Sequence, residues 1–196
     1  MICYYEKVRE SEMVRVKYYE KIMLENGKEC ILRHATAADA KAIKEHRIVV
    51  AGETNYLSRY PDEMTMTVEE EARTLERKEN SFDELMMIAE IDGKLVGNSG
   101  IYPVGPYDRL KHKANFGVSI KKAYWGMGIG TIILNRMLMI AKEAGYEMMN
   151  LEVIEGNASA IRMYERYGFQ VFGKEEKGFR YRDGSYAAIY HMHREL

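Results

Sequence analysis

The chain has 196 residues, of which 46% are hydrophobic and 30% are charged, and its formal net charge at pH 7 is −1. This composition is typical of a globular protein and excludes a disordered chain. The balanced charge predicts no binding to nucleic acid or to an anionic membrane. No apolar run approaches the roughly 20 residues that span a bilayer, and the first residues do not resemble a secretory signal. We expect a cytoplasmic protein whose two cysteines, Cys3 and Cys30, form no metal cluster.

Residues 1–20 are interpreted as an N-terminal extension in front of a main domain that comprises residues 21–196. The stretch "VRVKY", residues 14–18, alternates apolar and basic side chains. This alternation is typical of a strand, so the extension is either an extra strand or a partly ordered segment.

Three dipeptides predict hairpins in the remainder of the chain: Asn26-Gly27, Asp92-Gly93 and Asp183-Gly184. Each lies between two apolar, strand-like runs. Asn-Gly and Asp-Gly favour two-residue turns because both central residues of such a turn need positive φ. We therefore expect three antiparallel strand pairs.

Capping-box patterns predict two helices between these hairpins. Thr36 and Asp39 open the first helix, over residues 36–50, and Thr67 and Glu70 open the second, over residues 67–80. In a capping box, a Ser or Thr and an acidic residue three positions later satisfy each other's backbone amides.

The second half of the chain alternates between strands and helices. Strands are predicted at 113–120 and 147–154, and helices at 131–145 and 157–168. Short links between these elements predict a parallel crossover. Together with the hairpins, this pattern predicts a single mixed α/β sheet.

The loop "YWGMGIGT", residues 124–131, places glycines at alternate positions between a strand and a helix. Free backbone amides at the positive end of a helix form an anion site, and a phosphate is the usual ligand. The alternative is that the glycines only form a tight turn. The lysine of a P-loop is absent, and the spacing is not that of a dinucleotide-binding fingerprint.

"VSIKKAYWGMGIGTIIL" followed by "LEVIEGNASAIRMYERYGFQVFGKEE" resembles the GNAT superfamily of N-acetyltransferases. The family's loop is written Q/R-x-x-G-x-G/A. Gly128 and Gly130 match its glycines, whereas Trp125 replaces the Gln or Arg, and Met127 stands where lysine is common. The resemblance implies a mostly antiparallel sheet with a splayed parallel strand pair and about four helices. It also implies transfer of an acetyl group from acetyl-CoA to a primary amine, on a small molecule or a peptide, without a metal.

The resemblance also implies which residues bind the coenzyme. The loop amides would bind the pyrophosphate, the preceding strand would pair with the pantetheine arm, and a tyrosine of the last helix would protonate the departing thiolate. The residues are Val118, Ser119, Ile120, Gly126, Met127, Gly128, Ile129, Gly130, Thr131, Asn157 and Tyr164, with Tyr164 as the catalytic residue. Asn157 and Tyr164 are seven positions apart and share one helix face. The alternative is that Asn157 is an N-cap and Tyr164 a core aromatic.

The acceptor site is less well defined by the sequence. Many family members carry a glutamate where this chain has Asn115, which cannot act as a base. Either another carboxylate or water takes the proton of the amine. The candidate acceptor residues are Glu53, Tyr56 and Glu90, with Tyr60, Asp62 and Glu63 in the same acidic loop as Tyr56.

Several alternatives to this function stay open. An acyl-CoA-binding sensor without turnover is the main one, and a nucleotide-dependent oxidoreductase is another. The resemblance allows a homodimer but indicates no interface. The five histidines are not spaced like a zinc site.

Overall fold

The computed structural model describes the backbone of residues 3–10 and 13–196 and the side chains from residue 17 onwards. Nine strands and four α-helices lie within the described residues. The strands are β1 (Cys3–Glu10), β2 (Met13–Met23), β3 (Glu29–His34), β4 (Leu85–Ile91), β5 (Lys94–Pro103), β6 (Lys113–Ile120), β7 (Met148–Ile154), β8 (Gln170–Arg180) and β9 (Tyr186–Glu195). The helices are α1 (Ala40–Glu53), α2 (Val68–Glu79), α3 (Ile129–Glu143) and α4 (Ala158–Arg166).

The described strands form one sheet in the order β1-β2-β3-β4-β5-β6-β7-β9-β8. Strands β6 and β7 are parallel, and every other neighbouring pair is antiparallel. The parallel pair is joined through α3, which is the crossover that the sequence predicts. The expected mixed α/β fold with a mostly antiparallel sheet is confirmed.

The sheet lies between two helix layers, and the side chains of β4 pack against both of them. Met87 of β4 belongs to the same core cluster as Ile133 of α3. Its neighbour Ile88 belongs to a second cluster with Ile43 of α1 and Leu75 of α2. Because successive side chains of a strand point to opposite faces, α3 covers one face of the sheet and α1 and α2 cover the other. The side chains named here are all fully buried: Met87, Ile88, Ile43, Leu75 and Ile133.

All three predicted hairpins are present, but only one has the predicted turn. Asp92 and Gly93 both have positive φ, at 53° and 69°, and join paired Ile91 and Lys94 as a two-residue turn. At the other two hairpins only the glycine, Gly27 or Gly184, has positive φ. There the prediction of a two-residue turn is wrong. The two strands are joined by a longer connection, which needs positive φ only at its glycine.

Helix α2 starts at its predicted cap, whereas Thr36 and Asp39 open a 3₁₀ turn (Ala37–Asp39) and α1 itself begins after it, at Ala40. The Thr67 amide donates to Glu70 Oε2 at 2.8 Å and the Glu70 amide donates to Thr67 Oγ1 at 3.1 Å, which is the complete capping box. The Thr36 amide donates to Asp39 Oδ2 at 2.8 Å. Helix α3 begins at Ile129, two residues before its predicted start.

Strand β2 contains the stretch "VRVKY" and continues through residue 20 to Met23. The separation of an extension from a main domain at this residue stays a prediction. None of the helices in the described part of the chain has the length and hydropathy that a bilayer-spanning helix requires.

Candidate active site

A gap opens between the two parallel strands. Strand β6 pairs with β7 only through residues 113–115, which face residues 148–150. Beyond this point β6 continues to pair with β5 as far as Ile120, while β7 continues to pair with β9 as far as Ile154. The facing edges of β6 and β7 therefore separate, as the family resemblance implies, and leave backbone groups without a strand partner.

Alternate residues of β6 direct their backbone groups into this gap. The Lys121 amide donates to the Val96 carbonyl of β5 at 2.9 Å. Since backbone groups alternate in direction along a strand, those of Ile120 and Val118 point away from β5. The Ile120 carbonyl accepts a hydrogen bond from the Trp125 indole at 2.7 Å. The Val118 amide and carbonyl and the Ile120 amide are left for a ligand.

The three glycines of the loop have two different structural roles. Gly126 and Gly128 have φ of 78° and 79°, where a side chain is strained, and a Cβ on either would meet no atom within 4 Å. A Cβ on Gly130 would lie 3.3 Å from Ile120 Cδ1 and 3.6 Å from Met163 Sδ. Gly126 and Gly128 therefore allow the turn, and Gly130 allows α3 to pack closely against β6 and α4.

The N-terminus of α3 has no cap from the protein's own side chains. Its first backbone hydrogen bond runs from the Ile132 amide to the Gly128 carbonyl at 3.0 Å, so the amides of residues 129–131 precede the helical ladder. The N-cap residue is Gly128, and the first turn contains no acidic residue. In contrast, the first turn of α2 contains three glutamates and a capping box. The α3 terminus is thus open to an external anion.

A cavity of about 580 Å³ joins the open edge of β6 to this helix terminus. Its other walls are the start of α4 and the segment that follows α1. The volume lies within the range of about 300–1,000 Å³ that is usual for small-molecule sites. Of the eleven residues that the resemblance assigns to the coenzyme, all but Met127 line the cavity.

Tyr164 and Asn157 of the α4 segment line the cavity together. The Tyr164 ring is 6% exposed and packs edge-on against Phe116 and Phe169. Burial raises the pKa of Tyr164, so its hydroxyl stays protonated at neutral pH. Asn157 Oδ1 accepts from the Ala160 amide at 3.3 Å, which leaves its side-chain NH₂ free. Asn157 is therefore an N-cap that also lines the cavity, and Tyr164 is a core aromatic that also lines it.

The predicted acceptor residues do not come together. Tyr56 lines the cavity and donates its hydroxyl to the Gly156 carbonyl at 3.2 Å. Glu53 lies outside the lining, where it accepts from the Lys122 amide at 2.7 Å. Glu90 also lies outside it and accepts from Arg33 with both carboxylate oxygens, at 3.1 and 2.9 Å.

The lining of the described cavity contains no aspartate, glutamate or histidine. Asn115 does not reach the cavity either, since it lies opposite Asn150 in the paired part of the two strands. A carboxylate base in contact with the reacting atoms is thus absent from the cavity walls of the described chain.

The sequence does not predict a series of hydrogen-bonded polar side chains that lies behind β6. His46 of α1 is fully buried, and its Nε2 lies 3.0 Å from Ser119 Oγ. Ser119 donates to Asn98 Oδ1 at 2.6 Å, so His46 Nε2 is the protonated nitrogen that donates to Ser119. Burial lowers the pKa of His46 to about 4, which keeps it neutral. Because Ser119 lines the cavity, this chain fixes one wall. The only sequence signal was a histidine inside an amphipathic helix.

The described residues contain no group of three or more His, Cys, Asp or Glu side chains that could hold a metal ion.

A model of the acetyltransferase (GNAT) family matches residues 54–169, which is more than half of the chain. The chain belongs to this family. The family expected from the sequence is thereby confirmed. The enzyme class of this family is the acetyl-CoA-dependent acetyltransferases. The matched segment includes the glycine loop, the open edge of β6 and all of α4.

Known proteins of this family are similar in sequence and in fold. The L-amino acid N-acetyltransferase AaaT of Escherichia coli is 31% identical over 109 residues, which are 55% of this chain and 66% of AaaT. A GNAT acetyltransferase of Streptococcus pneumoniae is 26% identical, has a TM-score of 0.82, and covers 85% of this chain and 99% of its own. The yncA protein of Salmonella typhimurium, solved with its cofactor acetyl-CoA, has a TM-score of 0.75 at 20% identity. The match covers 85% of this chain and 94% of the yncA chain.

Proposed function

We propose that the protein transfers the acetyl group of acetyl-CoA to a primary amine. The observation that carries this proposal is the single cavity that joins the uncapped N-terminus of α3, the open edge of β6 and the buried hydroxyl-bearing Tyr164. A structural neighbour, yncA, was solved with acetyl-CoA, which is in accord with the proposal.

The cavity walls fit the parts of this coenzyme in order along its length. The amides of residues 129–131 and the positive end of α3 suit its pyrophosphate. The carbonyl of Val118 and the amide of Ile120 suit the amide-rich pantetheine arm, which would pair with β6 as an added strand does. The free NH₂ of Asn157 is a further donor beside that arm.

Acetyl-CoA supplies an acetyl thioester. The amine lone pair attacks the thioester carbonyl carbon; the new C–N bond forms, the C–S bond breaks, and the sulfur leaves as a thiolate. The Val118 amide stabilises the negative charge that develops on the carbonyl oxygen. The protonated Tyr164 hydroxyl donates to the departing sulfur, and Tyr164 then regains a proton from solvent.

The proton lost by the amine passes to water in this proposal, because no carboxylate lines the cavity. The amine must then arrive as the neutral base, since an ammonium has no lone pair. Among acceptors of similar structure, the one with the less basic amine supplies more of the reactive neutral form at pH 7.

Tyr164→Phe tests the proton donor. The variant keeps the aromatic packing and loses only the hydroxyl, so kcat should fall by at least about 10²-fold while the KM for acetyl-CoA changes little. The measurement is thiol release from acetyl-CoA with an excess of amine, together with calorimetric titration of CoA. Tyr167→Phe is the matched control, since Tyr167 follows the same helix but does not line the cavity.

Three outcomes bear on the proposal in different ways. If Tyr164→Phe retains full kcat, Tyr164 is not the donor, although the transferase function stands. Coenzyme binding without turnover of any amine would favour a sensor. If CoA gives no heat with folded wild-type protein, the assignment of the cavity is wrong.

A further inference from the structure

A second cavity of about 240 Å³ adjoins the first one. Its walls are the segment of residues 54–60, between α1 and α2, and the end of β8 at residues 178–181. Thr54 and Leu57 line both cavities, so the two share a wall. A molecule in the second cavity is therefore placed beside the cavity that we assign to the thioester.

The lining of this second cavity is cationic. It includes Arg59 and Arg180, which are both exposed, and no acidic residue. Neither arginine forms an ion pair with a carboxylate among the described residues, whose ion pairs involve other side chains. Arg180 lies 6.0 Å from the centre of the Tyr186 ring, a contact that leaves its hydrogen-bond donors available.

The acidic residues of the neighbouring loop are engaged elsewhere. Asp62 forms an ion pair with Arg182 at 2.7 Å. Glu63 accepts from the Tyr60 amide at 2.8 Å, and Glu53 accepts from the Lys122 backbone amide at 2.7 Å. The sequence places an acidic loop at the acceptor side, but in the fold these three carboxylates have other hydrogen-bond partners and none of them lines the second cavity.

Contacts between the loop and the β8–β9 hairpin hold this cavity in shape. Tyr181 donates its hydroxyl to the Asn55 carbonyl at 3.1 Å. The Arg182 amide donates to Tyr60 Oη at 3.0 Å, and the Arg182 guanidinium lies 4.0 Å from the centre of the Tyr60 ring. The two arginines are thus carried by segments that are fixed to each other.

We propose that the acceptor is a small anionic amine, whose carboxylate or phosphate group is bound by Arg59 and Arg180 in the second cavity. Its amine then lies at the shared wall of Thr54 and Leu57 and faces the first cavity. This inference rests on the proposed function. Arginine binds carboxylate and phosphate through its planar fork of donors, whereas a polyamine would bring a like charge into this cavity.

The test is a panel of amines in pairs that differ in the anionic group. L-Alanine is compared with L-alaninamide, phosphoethanolamine is compared with ethanolamine, and spermidine is the cationic probe. Because the anionic group also changes the pKa of the amine, kcat/KM is calculated for the neutral form of each amine. We expect this kcat/KM to be about 10- to 100-fold higher for the anionic member of a pair, as for loss of a charged hydrogen bond. The carboxylate pair and the phosphate pair separate the two anion types.

The double variant Arg59→Gln/Arg180→Gln should abolish this preference, so that both members of each pair are used with the same kcat/KM. Arg109→Gln is the matched control, because Arg109 is exposed and lines neither cavity. Calorimetric titration of each amine into protein saturated with CoA measures binding without turnover. It should detect the anionic amines in the wild type and not in the double variant.

Equal use of both members of each pair would overturn the inference, as would a preference that survives in the double variant. Failure of every anionic amine to bind would also overturn it. These results differ from a failure of the proposed function, in which neither CoA binding nor turnover of any amine is detected.

Discussion

At the scale of single residues, the fold sets the protonation state of two groups beside the cavity. Burial raises the pKa of Tyr164, which stays a hydrogen-bond donor. Burial also lowers the pKa of His46 to about 4, and the nearby positive charge of Lys121 acts in the same direction. His46 is therefore a neutral donor to Ser119 and too weak a base to take a proton from an amine. Its contribution is to hold β6, whose residues Val118, Ser119 and Ile120 line the cavity.

The lowered pKa of His46 predicts a loss of stability in acid. The pKa of His46 is about 4 in the fold and about 6.5 in the unfolded chain. The contribution of neutral His46 to the free energy of unfolding is therefore complete above pH 6.5 and is lost as the pH falls towards 4. The loss between pH 7 and pH 4.5 should be about 2–3 kcal/mol, measured as the free energy of unfolding in urea. This part of the pH dependence should be absent in His46→Gln.

His112→Gln is the control for that measurement, because it removes a histidine that is only partly buried. An identical pH dependence in the wild type and in His46→Gln would show that His46 does not titrate on unfolding.

At the scale of elements, the two ends of α3 have the same backbone conformation but different surroundings. Gly128 precedes the helix with φ of 79°, and Gly145 follows it with φ of 89°; at both positions a Cβ would meet no atom within 4 Å. Gly128 lines the cavity and Gly145 does not. Positive φ alone explains both glycines, so the anion site is indicated by the uncapped helix amides and the cavity, not by the glycine spacing.

Gly128→Ala and Gly145→Ala separate conformation from binding. Each forces an alanine into the left-handed region and should cost about 1–2 kcal/mol of stability. Only Gly128→Ala places a methyl group beside the amides of residues 129–131, so it alone should weaken CoA binding, by at least about 10-fold. Calorimetry gives the affinities and urea unfolding gives the stabilities. Equal affinities in the two variants would mean that the coenzyme does not lie at this terminus.

At the scale of the whole molecule, the sheet opens where β6 and β7 part, and its outer strands are attached to the helix behind the opening. The Glu20 carboxylate of β2 is 4% exposed and accepts from Arg136 of α3 at 2.7 and 2.8 Å. Tyr18 donates to the same carboxylate. This ion pair connects the N-terminal strands to the helix whose N-terminus lines the cavity.

Loss of Arg136 should destabilise the whole fold. Arg136→Met leaves the buried Glu20 carboxylate without its cation, which should cost about 3 kcal/mol of the free energy of unfolding. Lys21→Met is the control, because Lys21 and Glu29 form an ion pair with side chains 40% and 48% exposed, for which 0–1 kcal/mol is expected. Urea unfolding measures both. Comparable losses in the two variants would show that the Glu20–Arg136 pair has no special importance for stability.

From residue 21 onwards, the sequence by itself determined the order of strands and helices, together with the three hairpins, the caps of α2 and α4 and the family, because turn residues, caps and glycine loops are local patterns. It did not predict β1. The family motif also placed Asn157 and Tyr164, which the fold brings to one cavity.

Only the tertiary structure decided which charges remain unpaired. Asp62 of the loop and Arg182 of the β8–β9 hairpin are far apart in the chain and form an ion pair. Glu90 likewise forms an ion pair with Arg33. His46 meets Ser119 only because α1 packs on β6. Charge pairing and burial depend on contacts between distant segments, and a linear pattern carries no record of those contacts.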